Sequence, residues 1–216
     1  MLPPLTDFIA LLGLDLVLCA GCVRLLAWQK TMFLSPSRMK WAVAFLFLLS
    51  WWPIGAANLP LIAYVRGISS DLSITLVALA SWGLCNRLFD FPAVSKRERG
   101  ALGVVVAAAA LLLYPLALGW GDWDPYRLGW GSPGMLVVLL LISLVCCARG
   151  FYLVPLLIAL ALVGWTAGVL ESSNLWDYLI DPWLAVASLF QCARAGLEKL
   201  MTAKRSNSDT ASLLSR

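Results

Sequence analysis

GWGDWDPYRLGWGSPG, residues 119–134, is the stretch that decides how this chain is read. Three tryptophans, two aspartates, a tyrosine and an arginine sit here among glycines, flanked by an apolar run at 101–118 and a second that ends near Arg149. Aromatic side chains of this kind gather where hydrocarbon meets water, and Gly and Pro interrupt helices. The stretch reads as the main loop on one face of a polytopic membrane protein.

Working outward, 61% of the 216 residues are hydrophobic and only 13% are charged. Soluble domains carry about 25% charged residues. The charges fall between apolar runs long enough to cross about 30 Å of hydrocarbon. The expected fold is all-α, an integral membrane helix bundle of about seven transmembrane helices. One domain is expected over 1–202, followed by a disordered cytoplasmic tail at 203–216 that is rich in Ser.

The runs lie at 6–28, 41–57, 72–88, 101–118, 133–149, 151–170 and 183–195. No basic segment precedes the first, so a cleaved signal peptide is not expected. Residues 58–70 (NLPLIAYVRGISS) are too apolar for a free loop and too broken by Pro60 and Gly67 for a span. They are expected to form a broken or interfacial segment. Ser70 or Asp71 is expected to cap the third run, and Ser132-Pro133 the fifth. Gly164 and Gly168 form a close-packing pattern in the sixth.

Charge sorting orients the bundle. With the N-terminus outside and the C-terminus cytoplasmic, 14 of the 16 basic residues fall inside, leaving only Arg66 and Arg127 outside. Asp7, Asp71, Asp122, Asp124, Glu171, Asp177 and Asp181 then all fall outside. The basic residues are spread over several loops, so no nucleic-acid partner is expected. Short loops suit a bacterial inner membrane, making the chain a multi-pass component of the cell envelope.

The chain has no histidine. That excludes Ser-His proteolysis, phosphohistidine chemistry and His-ligated haem or zinc. No cofactor or metal is expected. The six cysteines read as small buried hydrophobes and reduced thiols near cytoplasmic helix ends.

Two groups remain as candidate binding residues. On the outer face stand Arg66, Asp71, Asp122, Asp124, Tyr126 and Arg127, with Tyr64, Glu171, Asp177 and Tyr178 beside them. Aromatic surfaces next to paired carboxylates suit a sugar, a lipid headgroup or a cation. Arg66 needs a carboxylate partner or an anionic ligand, because a buried unpaired charge is costly. An anionic or sugar-bearing ligand is therefore expected there, held by Arg66 and the 119–134 loop. The second group is Asp15, about 13 Å into the first run by helical rise, with Cys19 and Cys22 on the same stripe. Such a carboxylate is a site hypothesis by default. Asp15 is expected to be shielded from lipid and hydrogen-bonded within the bundle, with Ser or Thr side chains such as Thr75 or Thr166 as donors.

No catalytic signature is found. The functional expectation is a non-enzymatic accessory or structural component of an envelope-assembly or envelope-modifying complex, with membrane lipids and a protein in the membrane or periplasm as partners. The alternatives are an outer-leaflet headgroup or sugar transferase, for which Asp71, Asp122 and Asp124 would act with Arg66, and a small-solute transporter.

Overall fold

In the computed structural model the backbone is described for residues 5–28 and 36–214, and side chains for 5–26 and 37–202. Part of the expected loop at 29–40, and the side chains of the tail, lie outside the described residues. Among the described residues the regular structure is helical except for one pair of two-residue strands.

Helix α1 spans Leu5–Trp28 and α2 spans Pro36–Ser50. The second apolar run was expected to reach residue 57, but its helix stops at Ser50. Pro53 cannot continue the hydrogen-bond ladder. The chain instead turns through strand β1, Pro53–Ile54, paired antiparallel with β2, Leu59–Pro60. Gly55 and Asn58 supply the positive φ angles of this turn, at 70° and 52°. Helix α3, Leu61–Ser69, follows. Its nine residues reach only about 13 Å by helical rise.

Helix α4, Ile74–Phe89, begins later than expected. Its cap is Ser73, whose Oγ accepts from the Leu76 backbone N–H at 3.1 Å, rather than Ser70 or Asp71. Asp71 is turned toward Arg66 instead. Helix α5, Lys96–Ala117, starts at Ser95, which accepts from Glu98 N–H at 3.1 Å. The basic residues at 96–99 are therefore the first turn of a helix and not a loop. Helix α6 spans Pro133–Ala148 and α7 spans Leu153–Thr166. Ser132 stands at the start of α6, but its hydroxyl makes no capping bond. Glu98 reaches across from α5 to accept the Tyr152 and Leu153 N–H groups at 2.8 and 3.2 Å, capping α7 in place of a local residue. Helix α8 is Leu175–Leu179, and α9 runs from Pro182 to Leu214. It extends past the expected boundary at 202, since neither Gly nor Pro follows Gly196.

Helix α4 faces all three apolar clusters. Ile74, Ala78 and Leu79 pack on the main core, where Leu102, Val106 and Ala110 of α5 meet Val154, Leu157 and Ala161 of α7 and Leu184 of α9. Val77 packs on a second cluster of Leu11, Leu14, Ile62 and Leu72, and Leu84 on a third with Cys19 and Val23. Two glycines allow the close approach. A Cβ on Gly13 of α1 would lie 2.9 Å from a Val77 methyl, and one on Gly164 of α7 would lie 3.2 Å from Ile74. Gly168 does not share this role. It takes φ 61° in the turn that ends α7, where its N–H bonds the Trp165 carbonyl at 3.1 Å.

The flanks left uncovered are apolar. Leu140 of α6, Val163 of α7 and Phe190 of α9 are 58%, 65% and 70% exposed. By length and composition, α1 over Leu5–Leu26 and α5 over Lys96–Ala117 can each cross a membrane. Helices α4, α6 and α7 are shorter apolar helices.

Asp15 is only 1% exposed. Ser50 Oγ and Trp51 Nε1 donate to its Oδ2 at 2.7 and 2.8 Å, and the Cys19 thiol lies 3.7 Å from Oδ1. One donor is thus a serine, as expected, but it stands at the end of α2, and neither Thr75 nor Thr166 takes part. Those two bond the carbonyls of Tyr178 and Val163. Asp15 closes the α1–α2 contact.

Replacing Asp15 by Leu strands the Trp51 indole N–H, at a cost of about 1–3 kcal/mol. Asp15→Leu should lower the thermal midpoint in detergent clearly more than Asp15→Asn, which can still accept both bonds. Equal midpoints would show that these bonds do not hold α1 to α2.

Candidate functional site

One pole of the bundle collects the start of α1, the β1–β2 turn, α3, the end of α5 and the segments at 119–132 and 167–181. Arg66, in the last turn of α3, is its centre. Its Nε donates to Asp71 Oδ1 at 2.6 Å and its Nη1 to Asp7 Oδ1 at 2.7 Å, while Nη2 lies 3.0 Å from Glu171 Oε1. Ser70 makes this possible by taking φ 60°, which turns the chain so that Asp71 comes back beside the arginine. The guanidinium fork thus joins α1, the α3–α4 turn and the α7–α8 segment. The bond to Asp71 foremost, then that to Asp7, outweigh burial and push the Arg66 pKa above its usual range. Its side chain is 19% exposed, and three carboxylates over-balance its single charge.

A second joint links residues 119–134 to residues 171–182. Asp124 Oδ1 accepts the Tyr126 N–H at 2.9 Å and caps a 3-10 helix at Pro125–Gly129. Asp-Pro is suited to this, since proline fits the first position after a cap. Tyr126 OH donates to Asp177 Oδ2 at 2.9 Å, which Ser172 Oγ also reaches. Asn174 Nδ2 donates to the Tyr126 carbonyl at 2.9 Å, and Trp176 Nε1 to the Pro125 carbonyl at 3.0 Å. Gly129 lies so close to Asn174 that an added Cβ would overlap its amide. Burial first, and then the bond to Asp177, push the Tyr126 phenol up to about 12. Nearby, Tyr178 is fully buried and donates to the Ser172 carbonyl at 2.9 Å.

The second Asp-Pro pair repeats the device. Asp181 Oδ1 accepts from Leu184 N–H at 2.8 Å at the start of α9, and Oδ2 accepts the Ser73 hydroxyl at 2.6 Å and its N–H at 3.1 Å. The starts of α4 and α9 are thereby fastened to one carboxylate.

Between these joints opens a cleft of about 1520 Å³. One side is formed by Asp7, Phe8, Leu11, Trp51 and residues of 58–71, the other by Leu113, Tyr114, Ala117, Tyr126 and residues of 170–182. Of the residues singled out in the sequence, Arg66, Asp71, Tyr126, Glu171 and Asp177 line it. Asp122, Asp124 and Arg127 do not. Asp122 is exposed, and Arg127, 81% exposed, faces Asp124 at 3.8 Å, too exposed a pair to matter for stability. Asp15 lies apart, between α1 and α2. Trp120, Trp123 and Trp130 are exposed and outside the lining; the cleft's tryptophan is Trp51.

Sequence reasoning missed Ser73, Asn174 and the capping role of Asp181. The available signal was local: Asp181 precedes Pro182, and Asn174 precedes the Leu175 start of α8. Among the described residues no group of three or more Cys, Asp or Glu is arranged to hold a metal ion. Comparison with protein-family models, with curated proteins and with solved structures returns no match.

Two outcomes follow for the joint. Gly129→Ala should destabilise the fold by about 1–3 kcal/mol through overpacking, whereas Gly134→Ala, with its nearest neighbour at 3.6 Å, should not. Matching thermal midpoints for the two would refute the Asn174 contact. In addition, the raised Tyr126 pKa means that the fold holds this proton more tightly than the open chain. Its stabilisation is full below pH 10 and is lost as pH rises toward 12. Tyr126→Phe should flatten that alkaline loss in thermal unfolding.

Proposed function

We propose that this chain is a multi-pass membrane protein with seven crossings, N-terminus outside and C-terminus cytoplasmic, in a bacterial inner membrane. The observation that carries the membrane assignment is the apolar flank: α6 alone leaves Leu136, Val137, Val138, Leu140, Leu141, Leu144 and Val145 uncovered. Soluble monomers rarely expose a patch of that extent. Helices α1, α2, α4, α5, α6, α7 and α9 would be the crossings. At 14 to 16 residues, α4, α6 and α7 reach about 21–24 Å by helical rise, and bilayer thinning would accommodate the difference. The pole with Arg66 faces outward. The opposite pole holds Arg97, whose Nη2 donates to the Arg149 carbonyl at 2.9 Å and whose guanidinium lies over Phe151.

Its function is non-enzymatic, that of an accessory or structural component in envelope assembly or modification. What supports this is the employment of the polar groups. Asp71 pairs with Arg66, Asp177 holds Tyr126 and Ser172, and Asp181 caps α9 and accepts from Ser73, the cap of α4. Among the described residues, no buried side-chain polar atom lacks a partner. These groups fasten segments to one another, and a catalytic acid or nucleophile would have to be released from that work first.

Reporter fusions test the arrangement. Fusions after residues 130 and 174 should report the outside, and those after 93, 151 and 216 the cytoplasm. A cytoplasmic signal at 130 would overturn the orientation. For the accessory role, the tagged chain extracted in mild detergent should purify with a second membrane or periplasmic protein in fixed stoichiometry, and should lose it when Gly129→Ala opens the joint. Recovery of the chain alone, in every detergent that keeps it folded, would sink that role.

A further inference from the structure

The cleft lies between two units that meet along α4. On one side are α1, α2 and α3, which pack on one another and on α4. On the other are α5 to α9. Opposite the α4 side the two units are bridged by the Arg66–Glu171 pair. The walls are largely apolar where Phe8, Leu11 and Trp51 face Leu113 and Ala117. At the polar end stand five carboxylates, those of Asp7, Asp71, Glu171, Asp177 and Asp181, with one guanidinium.

We propose that this cleft is a lateral binding site for a membrane amphiphile whose headgroup carries a primary amine. The inference rests on the membrane reading above and names the ligand of the same site. Charge complementarity selects the headgroup. Arg66 already spends Nε, Nη1 and Nη2 on three different carboxylates, so an anionic headgroup finds no free edge on it and meets an excess of negative charge. A primary ammonium offers three donors to that excess, with Glu171, 63% exposed, as the most accessible acceptor. The apolar walls select an amphiphile over a free amine. The volume, about 1520 Å³, exceeds the roughly 300–1,000 Å³ of small-molecule pockets, enough for a headgroup with part of an acyl chain. Gly67 lines the cavity, and a Cβ built there meets nothing within 4 Å, so a larger side chain can be introduced at the wall without a clash.

The test uses the full chain reconstituted into vesicles of equal parts phosphatidylethanolamine, phosphatidylcholine and phosphatidylglycerol. It is then extracted in mild detergent and its bound lipid is read by native mass spectrometry. Phosphatidylethanolamine should be retained about tenfold over the other two, the factor expected from ammonium–carboxylate pairs, since a quaternary amine has no donor and a glycerol hydroxyl donates without a charge of its own. Gly67→Trp, which adds bulk at the cleft wall where a Cβ meets no neighbour, should lower retention severalfold. Glu171→Gln should erase most of the preference while leaving the fold intact. Equal retention of the three lipids overturns the headgroup assignment, and full retention by Gly67→Trp overturns the site. If Gly67→Trp does not accumulate, the Glu171→Gln preference decides alone. Displacement of the lipid by millimolar free ethanolamine would show a soluble amine as the ligand and refute the amphiphile. Failure of the membrane reading is seen separately, in the reporter fusions.

Discussion

The pole that bears the cleft depends on one guanidinium. Arg66 is drawn from α3 into a position where it is mostly shielded from water, and a charge there is tolerable only with partners. Its three carboxylates come from the first turn of α1, from the turn before α4 and from the segment after α7. No two of these segments adjoin in the chain except through Arg66's own neighbour Asp71. The arginine therefore decides how the first three helices stand against the rest at this end, and it sets the sign of the cleft. With its donors consumed, the charge left over is negative.

Depth in the bundle is governed by a different constraint, the closeness of backbones around α4. Gly13 of α1 and Gly164 of α7 meet that helix at Val77 and Ile74, where an added Cβ would lie only 2.9 and 3.2 Å from a side-chain carbon. The dispersion attraction between surfaces this close is small for each atom pair and large in sum. It matters most where apolar burial from water offers no drive, as between helices in lipid. The α4 helix can then be short, because it is gripped along much of its length. The same packing aligns Ser73 with Asp181, so the starts of α4 and α9 share one carboxylate.

Polar chemistry in this protein is therefore mostly structural and still shapes a binding surface. The carboxylates of Asp71, Asp124, Glu171, Asp177 and Asp181 meet backbone N–H groups of a helix start, a hydroxyl or the guanidinium, and the N–H contacts are how helix ends escape unsatisfied donors. Glu171 differs in degree, since it holds Arg66 while staying open to solvent. A ligand that reaches the cleft meets a surface already held in place, with the cost of ordering its side chains met in folding.

What the sequence by itself determined was whatever neighbouring residues settle among themselves. The all-helical character follows from apolar runs bounded by Pro, Gly and Ser. The interruption ahead of α3 follows from Pro60, which cannot continue a helical hydrogen-bond ladder. Arg66 could be picked out because a lone arginine in an apolar segment demands a partner. The tertiary structure alone decided which partners were taken. Glu98 caps α7 from α5, Asp15 is met by Ser50 and Trp51 rather than by threonines, and Arg66 takes Asp7 and Glu171 as well as Asp71. It also moved Asp122, Asp124 and Arg127 out of the cleft and brought Asp181 into it. The reason is physical. A cap or a turn is closed by atoms within four residues and so is written locally, whereas a charge on one helix chooses among many carboxylates of like chemistry. Only the crossing of helices, set by where glycines let them touch, brings particular ones within hydrogen-bond reach.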